Sequence, residues 1–185
     1  MRICLSLAIA LAAALLAVSC KKDDPEADLP AATHTGANTA GCLVNGERFV
    51  ANGYGSGLSR VSGMDGGFAF DSLYYIELAG VVNGKNANLL LFFRSRKVGS
   101  YLLNQNTQYY PQGSPRYVLN HATYTVSNNT GELYVTDAQH TGRVEFTYAD
   151  FPHRISAGTF EFTAASTFDP GKTITITSGR FDRKQ

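Results

Sequence analysis

Three groups of residues in this chain could do chemistry. The first is the thiol of Cys20, which stands where an apolar run from Ile3 to Val18, broken only by Ser6, gives way to Lys21-Lys22-Asp23-Asp24-Pro25-Glu26. A thiol freed at such a junction can take acyl chains. The second is the stretch Tyr101 to Tyr117, which carries Asn104, Gln105, Asn106, Gln108, Tyr109, Tyr110, Gln112 and Arg116, with Pro111 and Pro115 restricting its backbone. Planar amides beside tyrosine rings suit polar neutral ligands such as glycans, which need stacking faces and hydrogen-bond partners. Tyr109, Tyr110, Gln112, Arg116 and Asn104 are its candidate contacts, although the absence of tryptophan removes the largest stacking platform. The third group is His34, His121, His140 and His153 together with dispersed acids.

The third group carries the weakest signal. The histidines are separated by 13 residues or more, whereas zinc sites show at least one closely spaced ligand pair. They are expected on the solvent side or at strand edges, and no metal or other cofactor is expected. Glu77, Glu132, Glu145, Glu161 and Asp182 could supply a carboxylate pair for glycoside hydrolysis, but nothing in the sequence selects a pair. Glu145 and Glu161 alternate with aromatics, which assigns them to an outward face. No serine has the Gly-x-Ser-x-Gly spacing of a nucleophile elbow. Pro170-Gly171-Lys172-Thr173 mimics the end of a phosphate loop, but Ser166 stands where its first glycine belongs and a strand follows in place of a helix. Lys172 is a turn residue on this reading. No catalytic residue is assigned, and a hydrolase is the least favoured functional class.

The elements that position these groups begin with a leader. Met1-Arg2, the short apolar run and the small Ser19 follow the grammar of a secretory signal, and the run is shorter than the roughly 20 residues of a membrane-spanning helix. Leu16-Ala17-Val18-Ser19-Cys20 resembles the lipobox of bacterial lipoproteins, with the leucine one position further from the cysteine than is common. The expectation is a signal peptide over residues 1–19, lipidation at Cys20, and a partner in the membrane itself. The location that follows is the bacterial outer membrane, on its periplasmic face or at the cell surface. Several acyl chains make such an anchor effectively permanent, at about 0.8 kcal/mol per buried methylene.

Residues 20–40 are expected to be the anchor and a disordered tether, because they hold two prolines, four acids and no aromatic or β-branched aliphatic residue. As a flexible chain they would reach roughly 25 Å. Loss of Arg2 from the 16 basic residues leaves 15 against 15 acids, so no global field attracts nucleic acid. With Cys4 removed and Cys20 lipidated, Cys42 stands alone in Gly41-Cys42-Leu43-Val44, which is the setting of a small buried hydrophobe and excludes a disulfide framework.

Residues 41–185 form one domain of about 145 residues, a size that buries most of its unfolded surface. Helical periodicity is absent and period-two alternation is frequent. Val144, Phe146 and Tyr148 share one face, as do Phe160, Phe162 and Ala164, and Ile174 and Ile176 alternate with threonines. Asn45-Gly46, Asn83-Gly84, Asn128-Asn129-Thr130-Gly131 and Asp169-Pro170-Gly171 read as turns between antiparallel strands. Leu89-Leu90-Leu91-Phe92-Phe93 is apolar on both faces and belongs in the middle of a sheet, or in a barrel wall covered on its outer side. The fold class is all-β: a single antiparallel sandwich or flattened barrel of about nine to eleven strands.

Thr35-Gly36-Ala37-Asn38-Thr39-Ala40-Gly41-Cys42-Leu43-Val44-Asn45-Gly46 resembles the opening of an uncharacterised Bacteroidota lipoprotein family, with Ala40 where an aromatic is usual. Ile155-Ser156-Ala157-Gly158-Thr159-Phe160-Glu161-Phe162 and Ser178-Gly179-Arg180-Phe181-Asp182 resemble its closing strands. Lys21-Lys22-Asp23-Asp24 also resembles the surface-export signals of that phylum. The resemblance implies a domain of unknown function and brings no activity with it. The expected role is a non-catalytic binding or structural module whose partner is a glycan or another surface protein. A calycin-like barrel carrying a small apolar ligand among Phe92, Phe146 and Phe162 is the alternative.

Overall fold

A computed structural model describes residues 24–69, 73–105, 120–127 and 131–185. Cys20, Tyr109, Tyr110, Gln112 and Arg116 lie outside the described residues, as do Asn128, Asn129 and Thr130 of the third expected turn.

Among the described residues eleven strands follow one another: β1 (Thr39–Val44), β2 (Glu47–Val50), β3 (Met64–Ala69), β4 (Leu73–Val82), β5 (Lys85–Phe93), β6 (Gly99–Leu103), β7 (His121–Val126), β8 (Leu133–Val135), β9 (Gly142–Asp150), β10 (Ile155–Ser166) and β11 (Thr173–Lys184). Two of the hairpins are dictated by their turn residues. Val44 pairs with Glu47 across Asn45 and Gly46, whose φ angles are 49° and 85°. Val82 pairs with Lys85 across Asn83 and Gly84, at 50° and 73°. Two successive positive φ values define the turn whose twist matches the strands it joins, and asparagine followed by glycine adopts it with least strain.

All strand pairings are antiparallel, in the order β2-β1-β11-β10-β8-β7-β5-β4-β3, with β9 on β10 and β6 on β9. The sheet curls into a half-barrel. Bulges help to curl it, because an extra residue in one strand bends it and increases its twist. The extra residues lie in β11, opposite Gly41–Leu43 of β1 and Phe160–Phe162 of β10, and in β9, opposite Ala157 and Gly158 of β10. The curl brings the β2 and β3–β4 regions together: Gly53 donates its N–H to the Ala79 carbonyl, and Ala79 donates to that of Gly63. Gly80 permits this approach, since a β-carbon there would lie 2.3 Å from the Val50 carbonyl oxygen.

The concave face is the core. Period-two alternation sends Cys42, Phe49, Tyr74, Ile76, Leu78, Leu89, Leu91, Phe93, Tyr124, Val144, Phe146, Phe160, Phe162, Ile174, Ile176 and Phe181 into one cluster. The expected alternations in β10 and β11 hold, as does that of Val144 and Phe146 in β9, with Glu145 and Glu161 directed outward onto Arg143. An extra residue in β9, however, turns Tyr148 to the other face, where it stacks on His34, and Ala149 packs on the core in its place. Cys42 is free and buried, and burial pushes its thiol far above the ordinary range. That protonated, enclosed sulfur packs as a hydrophobe. β5 lies between β4 and β7 with all of Leu89–Phe93 buried, as its two apolar faces require.

The structure corrects three further expectations. Phe92 does not share an interior with Phe146 and Phe162; it turns to the other face of β5 and packs with Leu73 in a second, small cluster. His121 is neither exposed nor at a free edge, but 1% exposed and stacked on Phe92 with ring centroids 5.5 Å apart. The described part of the tether is not free chain. Leu29 is buried, Glu26 pairs with Arg180 at 3.0 Å, and Asp28 lies 3.7 Å from Arg48. Beyond them Thr33, Thr35, Gly36 and Ala37 close around Asp182. A polar arm therefore belongs to the folded unit before residue 41. Composition could not show this, because the arm is held by hydrogen bonds to a strand at the opposite end of the sequence.

Candidate functional site

The turn-bearing end of the half-barrel forms a mouth. The turns Asn45-Gly46 and Asn83-Gly84, the end of β7, the start of β8 and the start of β11 surround an open cavity of about 280 Å³. Val44, Val82, Val126, Ile174 and Tyr124 give it an apolar floor, while Asn45, Glu47, Asn83, Lys85, Glu132 and Tyr134 line its polar side. This division follows from register. Ala122, Tyr124 and Val126 occupy one face of β7, so the last two emerge at the mouth end of the core.

Two tyrosines dominate the mouth, with centroids 6.3 Å apart and planes inclined at 52°. Tyr124 is 2% exposed and lines the floor of the cavity. Burial, with smaller contributions from Cys42 and Tyr134, pushes its hydroxyl up to about 12. It therefore stays a protonated hydroxyl, able to donate to a molecule in the cavity. Tyr134 donates a hydrogen bond to the Glu132 carboxylate; its own ionisation is raised first by burial and then by the charge and hydrogen bond of Glu132. Ser166 donates to the same carboxylate at 3.1 Å, and Lys172 Nζ lies 3.8 Å from it. Lys172 is thus a turn residue, as expected, which also neutralises Glu132. The Asn45 carbonyl accepts from the Thr175 amide at 2.8 Å, which fixes that side chain and leaves its NH₂ group for other partners.

The outer face of β9–β11 carries a second concavity in two connected parts of about 440 and 290 Å³, which share Arg143 and Glu161. Thr141, Thr163, Thr175 and Thr177 line the first part, and Glu26 and Ala32 of the arm border the second. It is larger than the mouth, but its charges are consumed within it. Arg143 lies 3.2 Å from Glu161 and 3.7 Å from Glu145, and Arg180 pairs with Glu26. Exposed pairs of this kind contribute little to stability and leave no charge directed at a ligand. The mouth carries a pair of tyrosine rings, which the lining of the groove lacks.

Of the five candidate contacts in the Tyr101–Tyr117 stretch, Asn104 alone lies within the described residues. It is half-buried, accepts a hydrogen bond from Gln105 Nε2 at 3.1 Å, and does not line the mouth. The acids considered for hydrolysis are dispersed: Asp182 is enclosed by the arm, Glu145 and Glu161 flank Arg143, and Glu132 is at the mouth. His140 and His153 bond to Asp137 and Asp150 three residues earlier in turns. His34 stacks on Tyr148. Among the described residues no group of three or more His, Cys, Asp or Glu side chains could hold a metal ion. Tyr124 and Tyr134 were missed as site residues. The signal that could have found them was the convergence of the expected hairpin turns on one end of the sheet, with Tyr124 inward in β7.

The fold and site define a class: an antiparallel half-barrel with an aromatic-lined mouth at its hairpin end. The family described as Domain of unknown function (DUF6252) matches residues 69–183, more than half of the chain, and the chain belongs to this family. The match takes in β4 to β10 and most of β11, including Tyr124, Glu132 and Tyr134, whereas the arm, β1 and β2 precede it. No curated protein and no solved structure matches the chain.

Proposed function

We propose that this chain is a non-catalytic binding module, lipid-anchored through Cys20 to the bacterial outer membrane, and that the mouth takes its ligand. The observation that carries the binding reading is the convergence of Tyr124, Tyr134, Asn45, Asn83 and Glu132 on one cavity with an apolar floor. Small-molecule sites are concave and mainly apolar, with a few placed polar groups, and barrel mouths are among their preferred positions. The anchoring reading rests on the Cys20 junction and on the resemblance to lipoproteins of Bacteroidota. On this reading the docked arm holds Glu26 to the domain only six residues after the lipidated cysteine, which keeps the domain close to the bilayer.

The two parts of the proposal fail separately. Cys20→Ser is expected to abolish metabolic labelling by a fatty acid and to move the protein from the membrane to the soluble fraction. Retention of the variant in the membrane would refute the anchor. For the mouth, a ligand-observed NMR screen of the full chain in lipid nanodiscs, using a broad library of small molecules, is expected to yield binders that Tyr134→Ala loses. A screen without any such binder would remove the mouth as a binding site.

A further inference from the structure

Building on the mouth as a binding site, we infer that its ligand is a neutral polyhydroxylated ring of monosaccharide size, free or at the end of a glycan. Three properties of the cavity select this class over an ion or a purely apolar molecule.

Charge is the first. Glu132 is matched by Lys172 at 3.8 Å, and on the opposite rim Glu47 and Lys85 flank the two hairpin turns, one of each sign. An anion or a cation would meet a like charge wherever it met an opposite one. A neutral ligand avoids that conflict and still finds charged acceptors and donors, whose hydrogen bonds are stronger than neutral ones.

The second is hydrogen-bond pattern. A hydroxyl both donates and accepts, so a polyol needs partners of both kinds. Tyr124 offers a hydroxyl that stays protonated across the physiological range, the Asn45 NH₂ is a donor, Asn83 brings an amide of both kinds, and Glu132 is a carboxylate acceptor. An apolar ligand would use none of these groups.

Shape is the third. A volume of about 280 Å³ lies just below the range that drug-sized ligands occupy, so it suits one ring. The partly exposed Tyr134, backed by Tyr124, gives that ring's C–H face an aromatic surface, and the valine and isoleucine floor excludes water beneath it. With few contacts and an open mouth, the affinity for one ring is expected in the range of about 1 mM.

The test is saturation-transfer difference NMR on the full chain in phosphatidylglycerol nanodiscs. The neutral probes are glucose, galactose, mannose and N-acetylglucosamine; the charged and apolar probes are choline, glucuronate and toluene. At least one neutral sugar is expected to give transfer, with binding weakened about fivefold or more by Tyr124→Phe. That variant keeps the ring that packs the floor and removes the hydroxyl alone, and an unchanged melting temperature shows that the fold survives. Tyr134→Ala, at a half-exposed position, is expected to weaken binding similarly. Transfer to choline, glucuronate or toluene with the neutral sugars silent would overturn the ligand class while leaving the mouth a binding site. Sugar binding that neither variant alters would overturn the assignment to the mouth. If no probe binds, the inference falls, and the broad screen decides whether the binding reading falls with it.

Discussion

Replacing Asp182 with alanine is expected to lower the stability of the domain by about 2–4 kcal/mol and to free the arm from the sheet. Asp182 is 1% exposed and projects from β11 on the outer face, where a carboxylate would ordinarily meet water. The arm replaces that water. Thr33 Oγ1 donates to Oδ2 at 2.6 Å, the Thr35 amide at 2.9 Å, its hydroxyl at 3.2 Å and the Ala37 amide at 3.2 Å, while the Gly36 amide donates to Oδ1 at 2.7 Å. Asn38, in the left-handed region at φ 55°, continues the contact by accepting from Lys184 N and Arg183 Nη1. Alanine would strand several donors at once. The penalty is capped because the arm can peel away and return those donors to water, so the expected cost is well below the sum of five hydrogen bonds to a charged acceptor.

The same site predicts a pH dependence whose sign can be worked out. Burial alone would raise the ionisation of Asp182, but hydrogen bonds from Thr33, Ala37, Gly36 and Thr35 outweigh it and hold the carboxyl below the usual carboxylate range. A group whose folded value lies below its unfolded value, near 3.9, contributes stability that is fully present above the unfolded value. That contribution is lost as pH falls through the depressed folded value. Urea unfolding at pH 7 and near pH 3 should therefore show a loss in the wild type that is smaller in Asp182→Ala. Amide exchange at Gly36 and Ala37 should be slow in the wild type at pH 7 and fast in the variant. Equal stability of the two proteins, with Gly36 and Ala37 equally protected in both, would mean that the arm is not held by Asp182.

Local rules made the sheet readable in advance and left the site hidden. Asn45-Gly46 and Asn83-Gly84 specify their turns by backbone geometry within two residues, and the alternation through Val144 and Phe146 specifies a face within three. Such signals need no knowledge of the rest of the chain. Asp182 stands in Phe181-Asp182-Arg183, and nothing in that triplet shows that its carboxylate is covered, because the partners that cover it lie 145 to 149 residues earlier. Phe92 illustrates the other limit: a strand apolar on both faces shows that both are covered, but not which aromatic serves which face. The mouth depends on Tyr124, Tyr134 and Glu132 meeting the β1–β2 and β4–β5 turns, a convergence set by sheet order. Local pattern does not encode that order.

Phe146→Ala is expected to be the most destabilising of the single substitutions considered, at about 3–5 kcal/mol. Phe146, from β9, meets Tyr74 of β4 at 4.8 Å, Phe93 of β5 at 5.3 Å, Phe68 of β3 at 6.2 Å and Phe181 of β11 at 6.3 Å. These separations fit the preferred spacing of aromatic pairs, each worth about 0.5–1.5 kcal/mol beyond its area. The ring joins β3 and β4, at one end of the sheet order, to β9 and β11, so it fastens the curl as well as filling space. Relaxation cannot easily close the hole that alanine would leave, because Tyr74 is held from behind by a buried 2.7 Å hydrogen bond to Ser156. The variant should therefore retain an apolar void, and such voids stay dry and accept xenon or benzene. Calorimetric unfolding would measure the loss of stability, and xenon shifts in ¹²⁹Xe NMR would report the void. The expected pair of results is a strong xenon shift in Phe146→Ala and a weak one in the wild type. If the wild type bound xenon as well as the variant, the interior would already contain that space. The ligand would then belong inside the half-barrel, as in a carrier, and the mouth would be its entrance.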